Sequence, residues 1–313
     1  MSLPRRDVLI GAAAAAVASI ASAKAPNGLT FLVLGDWGER GVPMQRAVAR
    51  QMGRTAQATG ASFVLTVGDN FYSTGVTSIT DSHWVESFES VYDAPSLQIP
   101  WYPALGNHDY QGENARPDAQ VAYSGPTGRW RMPARFYARK VALAGGRTLE
   151  LFNFDTTLHL TKKPQDDQLR AAQIAWFEPA LMASKADWKL VYGHHTVFSN
   201  GGLHGNNSTL IAWLRPKLEA AGVQAYICGH DHDLQHIVAG PVHYIVSGGG
   251  FEARQVKPAA QWMAGTDFAR GAPGFAVCTI QGDAMSVRWI DQTGGEVGKA
   301  EVPRVSLKVA QPA

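Results

Sequence analysis

Five short blocks in this chain end on side chains that can bind a metal ion. They are "LTFLVLGDWG" (29–38), "SFVLTVGDNFY" (62–72), "PWYPALGNHDY" (100–110), "WKLVYGHH" (188–195) and "QAYICGHDH" (224–232). Asp36, Asp69, Asn107, His194, His230 and His232 supply oxygen and imidazole donors for hard or borderline cations. A single structural or catalytic zinc takes about four ligands, so this set exceeds one ion. It suits two metals sharing a carboxylate, about 4 Å apart, a recurring device for hydrolysing phosphate esters. Tyr72, three residues after Asp69, raises the question whether its phenol belongs to the same set. Taken alone, an Asp after a strand is mostly a turn or cap residue, and a lone tyrosine near a strand end is packing. The five blocks in this order carry the joint reading. His83, His159, His236 and His243 belong to none of them and read as ordinary hydrogen-bonded histidines.

Each block begins with an apolar run that reads as a buried central strand, and the glycine at its exit permits close backbone approach to a ligand. Helix-like segments at 43–60, 165–184 and 208–222 precede the second, fourth and fifth blocks, and Pro216 is expected to kink or break the last. Strand–helix–strand order predicts an α/β fold with right-handed crossovers, whose ligands gather at the carboxyl ends of the strands. Past residue 240, "PVHYIVSGGG", "GFAVCTI" and "AMSVRWIDQTGGEV" read as strands between glycine-rich turns. They predict a second sheet packed on the first within a single domain, residues 26–313, an α+β sandwich of two mixed sheets flanked by helices.

The 313 residues are 45% hydrophobic and 17% charged, an ordinary globular balance. "LPRRDVLIGAAAAAVASIASAKA" (3–25) has paired arginines, a short Ala-rich stretch and small-residue cleavage sites. It reads as a cleaved signal over residues 1–25, with Arg5-Arg6 in the twin-arginine style. That predicts a periplasmic or secreted protein without a stable membrane anchor after cleavage. Removing Arg5, Arg6, Lys24 and Asp7 takes away three positive charges and one negative, so a net +2 becomes neutral. A neutral chain has no general attraction for nucleic acid, and affinity for phosphate must be local. Cys228 and Cys278 lie in apolar strand-like runs; free buried thiols are the simpler reading, with a disulfide the alternative.

The five blocks resemble the signature of the calcineurin-like metallophosphoesterases, and within it the purple acid phosphatase branch. "GDWG" and "GDNFY" are most similar to the small, tartrate-resistant type. The resemblance extends through "AWLRPKLEAAGVQAYICGHDHDLQHI" and "YIVSGGG", covering most of residues 29–250. It implies a four-layer fold and a binuclear centre. Asp36, Tyr72 and His232 would bind Fe(III), and Asn107, His194 and His230 a divalent ion, with Asp69 bridging. The donor chemistry agrees: carboxylates, a phenolate and one imidazole form a hard anionic set, whereas two imidazoles and an amide oxygen suit Fe(II), Zn(II) or Mn(II). The implied activity is acid phosphatase: a metal-bound hydroxide attacks a phosphate monoester, with developing charge falling on the metals. His108 is then the candidate for substrate binding and proton donation, Asp109 its orienting partner, and His204 a further catalytic or substrate-binding histidine. A monomer acting on a small phosphate monoester is expected.

Two departures stand out. His195-Thr196 follow His194 where relatives of the small type have Tyr-Pro, so His195 is either an extra phosphate contact or a packed histidine. Leu203 precedes His204 where well-known relatives have an acid, which leaves the proton donor and the pH optimum open. The competing readings are a phosphodiesterase or nucleotidase of the same superfamily, which usually lacks the tyrosine ligand, and a non-catalytic relative, which would have lost part of the set.

Overall fold

The computed structural model describes residues 28–304 except Ser124; the signal-like segment 1–25 and the tail "LKVAQPA" (307–313) lie outside the described residues. Thirteen strands form among the described residues. They are β1 (Leu29–Leu34), β2 (Val64–Val67), β3 (Trp101–Ala104), β4 (Tyr137–Ala142), β5 (Thr148–Asn153), β6 (Trp188–Tyr192) and β7 (Ala225–Cys228), followed by β8 (Leu234–Ala239), β9 (Val242–Ser247), β10 (Thr266–Arg270), β11 (Gly274–Gln281), β12 (Ala284–Asp291) and β13 (Glu296–Pro303). The helices are α1 (Pro43–Thr59), α2 (Pro117–Ala122), α3 (Thr156–Leu160), α4 (Asp167–Ala183) and α5 (Ser208–Ala220).

Two mixed sheets result, in the orders β13-β12-β11-β1-β2-β3 and β10-β8-β9-β7-β6-β5-β4. β1, β2 and β3 run parallel, as do β5, β6, β7 and β9. The sheets face each other, and α1 packs on β1, β11 and β12 of the first. Along β6 and β7 the side chains alternate with the period of two that a strand imposes. Leu190, Tyr192, Ala225 and Ile227 enter the core between the sheets, while Val191, Tyr226 and Cys228 meet Phe177, Leu181, Leu214 and Leu218 of α4 and α5. These are the four layers.

The division of strands differs from the sequence reading. The carboxyl-terminal strands do not make a sheet of their own: β9 joins β7 in parallel, whereas β11 pairs with β1. The boundary falls between β3 and β4, and the five donor blocks are shared, three on one sheet and two on the other. Pairing rests on cross-strand contacts that local patterning does not encode, so a late strand can extend an early sheet. The β4–β5 hairpin, absent from the sequence reading, closes one edge of the second sheet. Helix α5 runs on through Pro216 without a break, held by buried Leu210, Leu214 and Leu218 and started by Asn207, whose side chain accepts from Leu210 N. Cys228 and Cys278 are free and buried on different sheets.

Candidate metal centre

The carboxyl ends of the parallel strands of both sheets meet at one rim, and the chain reverses sharply there. Only four non-glycine residues among those described have positive φ, and three are expected ligands: Asp36 at 57°, Asp69 at 49° and His230 at 70°. A left-handed backbone costs free energy outside glycine, so its concentration here marks a site that the surrounding fold enforces. The preceding glycines give the room. A Cβ on Gly106 would sit on Asp69 Oδ1, and one on Gly229 on Asp36 Oδ2.

One group of donors centres on Tyr72. Its Oη lies 2.9 Å from Asp36 Oδ1, 2.8 Å from Asp69 Oδ2 and 3.1 Å from His232 Nε2. His232 Nδ1 lies 2.7 Å from Glu252 Oε1, an ion-pair distance without hydrogen-bond alignment. One phenol proton thus faces two carboxylates and an imidazole nitrogen, and cannot serve all three. The second group centres on His194. Its Nδ1 pairs with Val67 O at 3.0 Å, so Nε2 faces Asn107 Oδ1 and His230 Nδ1, both at 3.1 Å, and Asp69 Oδ2 at 3.3 Å. Asp69 Oδ2 belongs to both groups. Asp36, Asp69 and His194 each offer a ligand atom within 4.8 Å of the others. Buried acceptors without enough protons between them fit a pair of cations.

The charges say the same. Burial, then the charges of Asp36 and Asp69, push the Tyr72 phenol well above its ordinary range, so only a strong cation would ionise it. Burial alone would lower His194, but the Asp69 carboxylate outweighs it and raises the imidazole to about 9. Burial likewise opposes ionisation of Asp69, yet His194 and His108 hold it below the usual carboxylate range.

A polar scaffold holds the loops. Asn70, between Asp69 and Phe71, accepts from Trp37 Nε1 and Thr66 Oγ1 and donates to Ala104 O. Asp109 accepts from Gly106 N at 2.8 Å and Asn70 N at 3.1 Å and from Gln120 Nε2. It therefore ties the β2 exit to the β3 exit, and its hydrogen bonds go to Gly106, Asn70 and Gln120 rather than to the His108 side chain. This corrects the expected orienting role. His108 is instead placed by Ser73 O, 2.7 Å from Nδ1, with its ring against Tyr72.

An open cleft of about 200 Å³ leads to the donors, lined by Asp69, Asn107, His108, Leu203, His204, His230, His232 and Arg254. His204 stacks on His230 at 4.0 Å. His195 is not in the lining. Its Nδ1 meets Thr156 Oγ1 at 2.9 Å and its ring packs 4.3 Å from His230, while burial depresses its pKa to about 3. His83, His159, His236 and His243 stay outside the site: His83 pairs with Gly38 O, His159 packs on Trp213, and His236 pairs with His243. The sequence reading missed Asn70, Thr156, Glu252 and Arg254. The last three follow the exits of β5 and β9, which are parallel strands of the same rim, so the strand-exit rule applied to "FNFDT" and "YIVSGGGFEAR" would have found them.

Comparison with known proteins agrees with this geometry. A family model described as calcineurin-like phosphoesterase matches residues 29–234. Human tartrate-resistant acid phosphatase type 5 is 35% identical over 88% of this chain and 91% of its own. Purple acid phosphatase 4 of Arabidopsis thaliana is 35% identical over 93% and 88%. Among solved structures, GAP50, the anchor in the inner membrane complex of Plasmodium, superposes with a TM-score of 0.82 at 21% identity, covering 90% of each chain. At those identities the structural likeness speaks for the fold alone. The purple acid phosphatase PPD1 of yellow lupin scores 0.65 at 15% identity, covering 88% of this chain and 54% of its own. With the donor cluster, the fold and these relatives together, the chain belongs to the calcineurin-like phosphoesterase family, in its purple acid phosphatase branch.

Proposed function

We propose that this protein is an exported acid phosphatase that hydrolyses phosphate monoesters at a binuclear Fe(III)–M(II) centre. The observation that carries the reading is the convergence of Tyr72 Oη with Asp36, Asp69 and His232 beside the Asn107–His194–His230 group. Asp36, Tyr72 and His232 would hold Fe(III), and Asn107, His194 and His230 the divalent ion, Fe, Zn or Mn, with Asp69 shared. When bound, such a pair polarises phosphoryl oxygens and lowers the pKa of a water that serves as nucleophile. Export rests on the sequence of residues 1–25.

The chain's own groups would divide the remaining work. Ser73 O occupies His108 Nδ1, so His108 exchanges protons at Nε2 and would deliver one to the leaving oxygen. His204 Nε2 faces the Arg254 guanidinium at 3.5 Å, and burial lowers its pKa further, so it would accept hydrogen bonds rather than donate a proton. His195 would support the centre by packing against His194 and His230.

The same fold occurs in a protein described as an anchor, so fold alone does not establish activity. The test is turnover of p-nitrophenyl phosphate against bis(p-nitrophenyl) phosphate by metal-loaded protein. A kcat/KM higher for the monoester by tenfold or more is expected. A better diester would replace this reading with a phosphodiesterase, and no turnover of either would remove the enzyme.

A further inference from the structure

Beyond the metal ligands, the cleft wall carries a guanidinium that nothing in the metal chemistry requires. Arg254 follows the exit of β9, and its backbone N–H donates to His232 O at 2.7 Å, which fixes its Cα beside a ligand loop. Its Nε and Nη2 hold Glu252 Oε1 at 3.2 and 2.9 Å. The same Glu252 oxygen lies 2.7 Å from His232 Nδ1. One carboxylate therefore serves both an imidazole and a guanidinium, and cannot use up the five N–H donors of the arginine. Nη1 faces His204 Nε2 at a long 3.5 Å, the only other side-chain partner among the described residues.

The rest of the wall offers no anion to compete. Leu203, 64% exposed at the mouth, stands next to His204, and Asp69 is the only carboxylate in the cleft lining. Asp69 is buried among the donors. Arg254 is separated from the ligand atom of His232 by an imidazole ring and the Glu252 carboxylate. Its charge thus lines the same cleft as the ligand groups without joining them, and reaches the ligand His230 only through the ring of His204. A planar fork with spare donors, held by Glu252 and reaching His204 only at a long 3.5 Å, matches a carboxylate or phosphate.

We propose that Arg254 is a specificity-determining residue: the cleft selects phosphate monoesters whose leaving group bears a second anionic group, which Arg254 binds. This rests on the phosphatase reading and narrows its substrate class. A carboxylate and a second phosphate are the two forms that anion can take, and the experiment separates them.

The probes are non-hydrolysable phosphonates titrated calorimetrically into metal-loaded protein: propylphosphonate, 3-phosphonopropionate and 1,3-propanediphosphonate. Wild type should bind at least one of the two doubly anionic probes about tenfold more tightly than propylphosphonate, and the tighter of the pair identifies the favoured group. Arg254→Met keeps the aliphatic stem and should erase that preference, weakening the probes with two anionic groups about tenfold more than propylphosphonate. Arg254→Lys should restore part of it, because charge remains and the fork is lost. The side chain is 35% exposed and its partner Glu252 42%, so the substitution leaves no buried charge unpaired. Equal affinity of wild type for all three probes, or a preference that survives in Arg254→Met, would overturn the assignment. Turnover of p-nitrophenyl phosphate is measured on the same samples. Turnover without a preference removes only the role of Arg254, whereas absence of both turnover and propylphosphonate binding removes the phosphatase reading beneath it.

Discussion

Asp69 is the residue on which both donor groups depend. Its Oδ2 reaches Tyr72 on one side and His194 on the other, and its Oδ1 accepts from His108 N at 2.7 Å. Asp69→Asn keeps the shape and the backbone bond but removes the charge that would hold two cations together. Metal analysis of the purified variant should give fewer than one ion per chain where wild type gives two, with kcat down by about 10³ or more, in the range typical of losing a key electrostatic contribution. Two ions retained would show that Asp69 does not bridge. At this scale the sequence was informative, because ligand chemistry is written in residue types at strand exits. Arg254 and Glu252 were harder to see, since three glycines and Phe251 stand between the end of β9 and Glu252, so the strand-exit pattern has to be followed further than in the five blocks. Their place depends on the bond from Arg254 N to His232 O, which exists only once the fold has closed.

The elements act as a mould for those residues. The loops after β2 and β3 interlock so tightly that no room for a Cβ remains between Gly106 and Asp69, and Gly106 N donates to Asp109 at 2.8 Å. Gly106→Ala puts a methyl onto Asp69 Oδ1 and the Asp69 backbone nitrogen. Overpacking of this kind costs about 1–3 kcal/mol, and here the strain falls on the ligand loop. The variant should lose metal affinity by at least tenfold while circular dichroism stays that of the wild type; unchanged affinity would show that the close approach is incidental. Strands β1, β2, β3, β6 and β7 and helices α1, α4 and α5 were legible from apolar runs and from helical periodicity. The β4–β5 hairpin was not, because "YARKVA" mixes charge with small residues and lies at a sheet edge, where burial is incomplete. The assignment of β9 and β11 to different sheets was equally hidden, for it is decided by long-range pairing.

For the whole molecule, the candidate metal centre lies where the two sheets meet at the rim. Asp36, Asp69 and Asn107 come from the first sheet, and His194, His230 and His232 from the second. Cations bound there would cross-link the halves of the fold in the native state alone, and ligand binding restricted to the native state adds stability by mass action. Removing the metals should therefore lower Tm by about 5–15 °C in calorimetry, the range for several kcal/mol in a chain of this size. An unchanged Tm after verified metal loss would mean that the sheets do not depend on the centre. Cys228 and Cys278 add no covalent tie between the sheets.

The central claim is that Tyr72 is a ligand to Fe(III), and its most direct test is the visible absorption spectrum of oxidised, iron-loaded protein with iron content measured on the same sample. A phenolate on ferric iron predicts a charge-transfer band that colours the protein pink to purple, and Tyr72→Phe should bleach it while iron remains bound. A colourless wild type with its iron in place and oxidised would contradict the account.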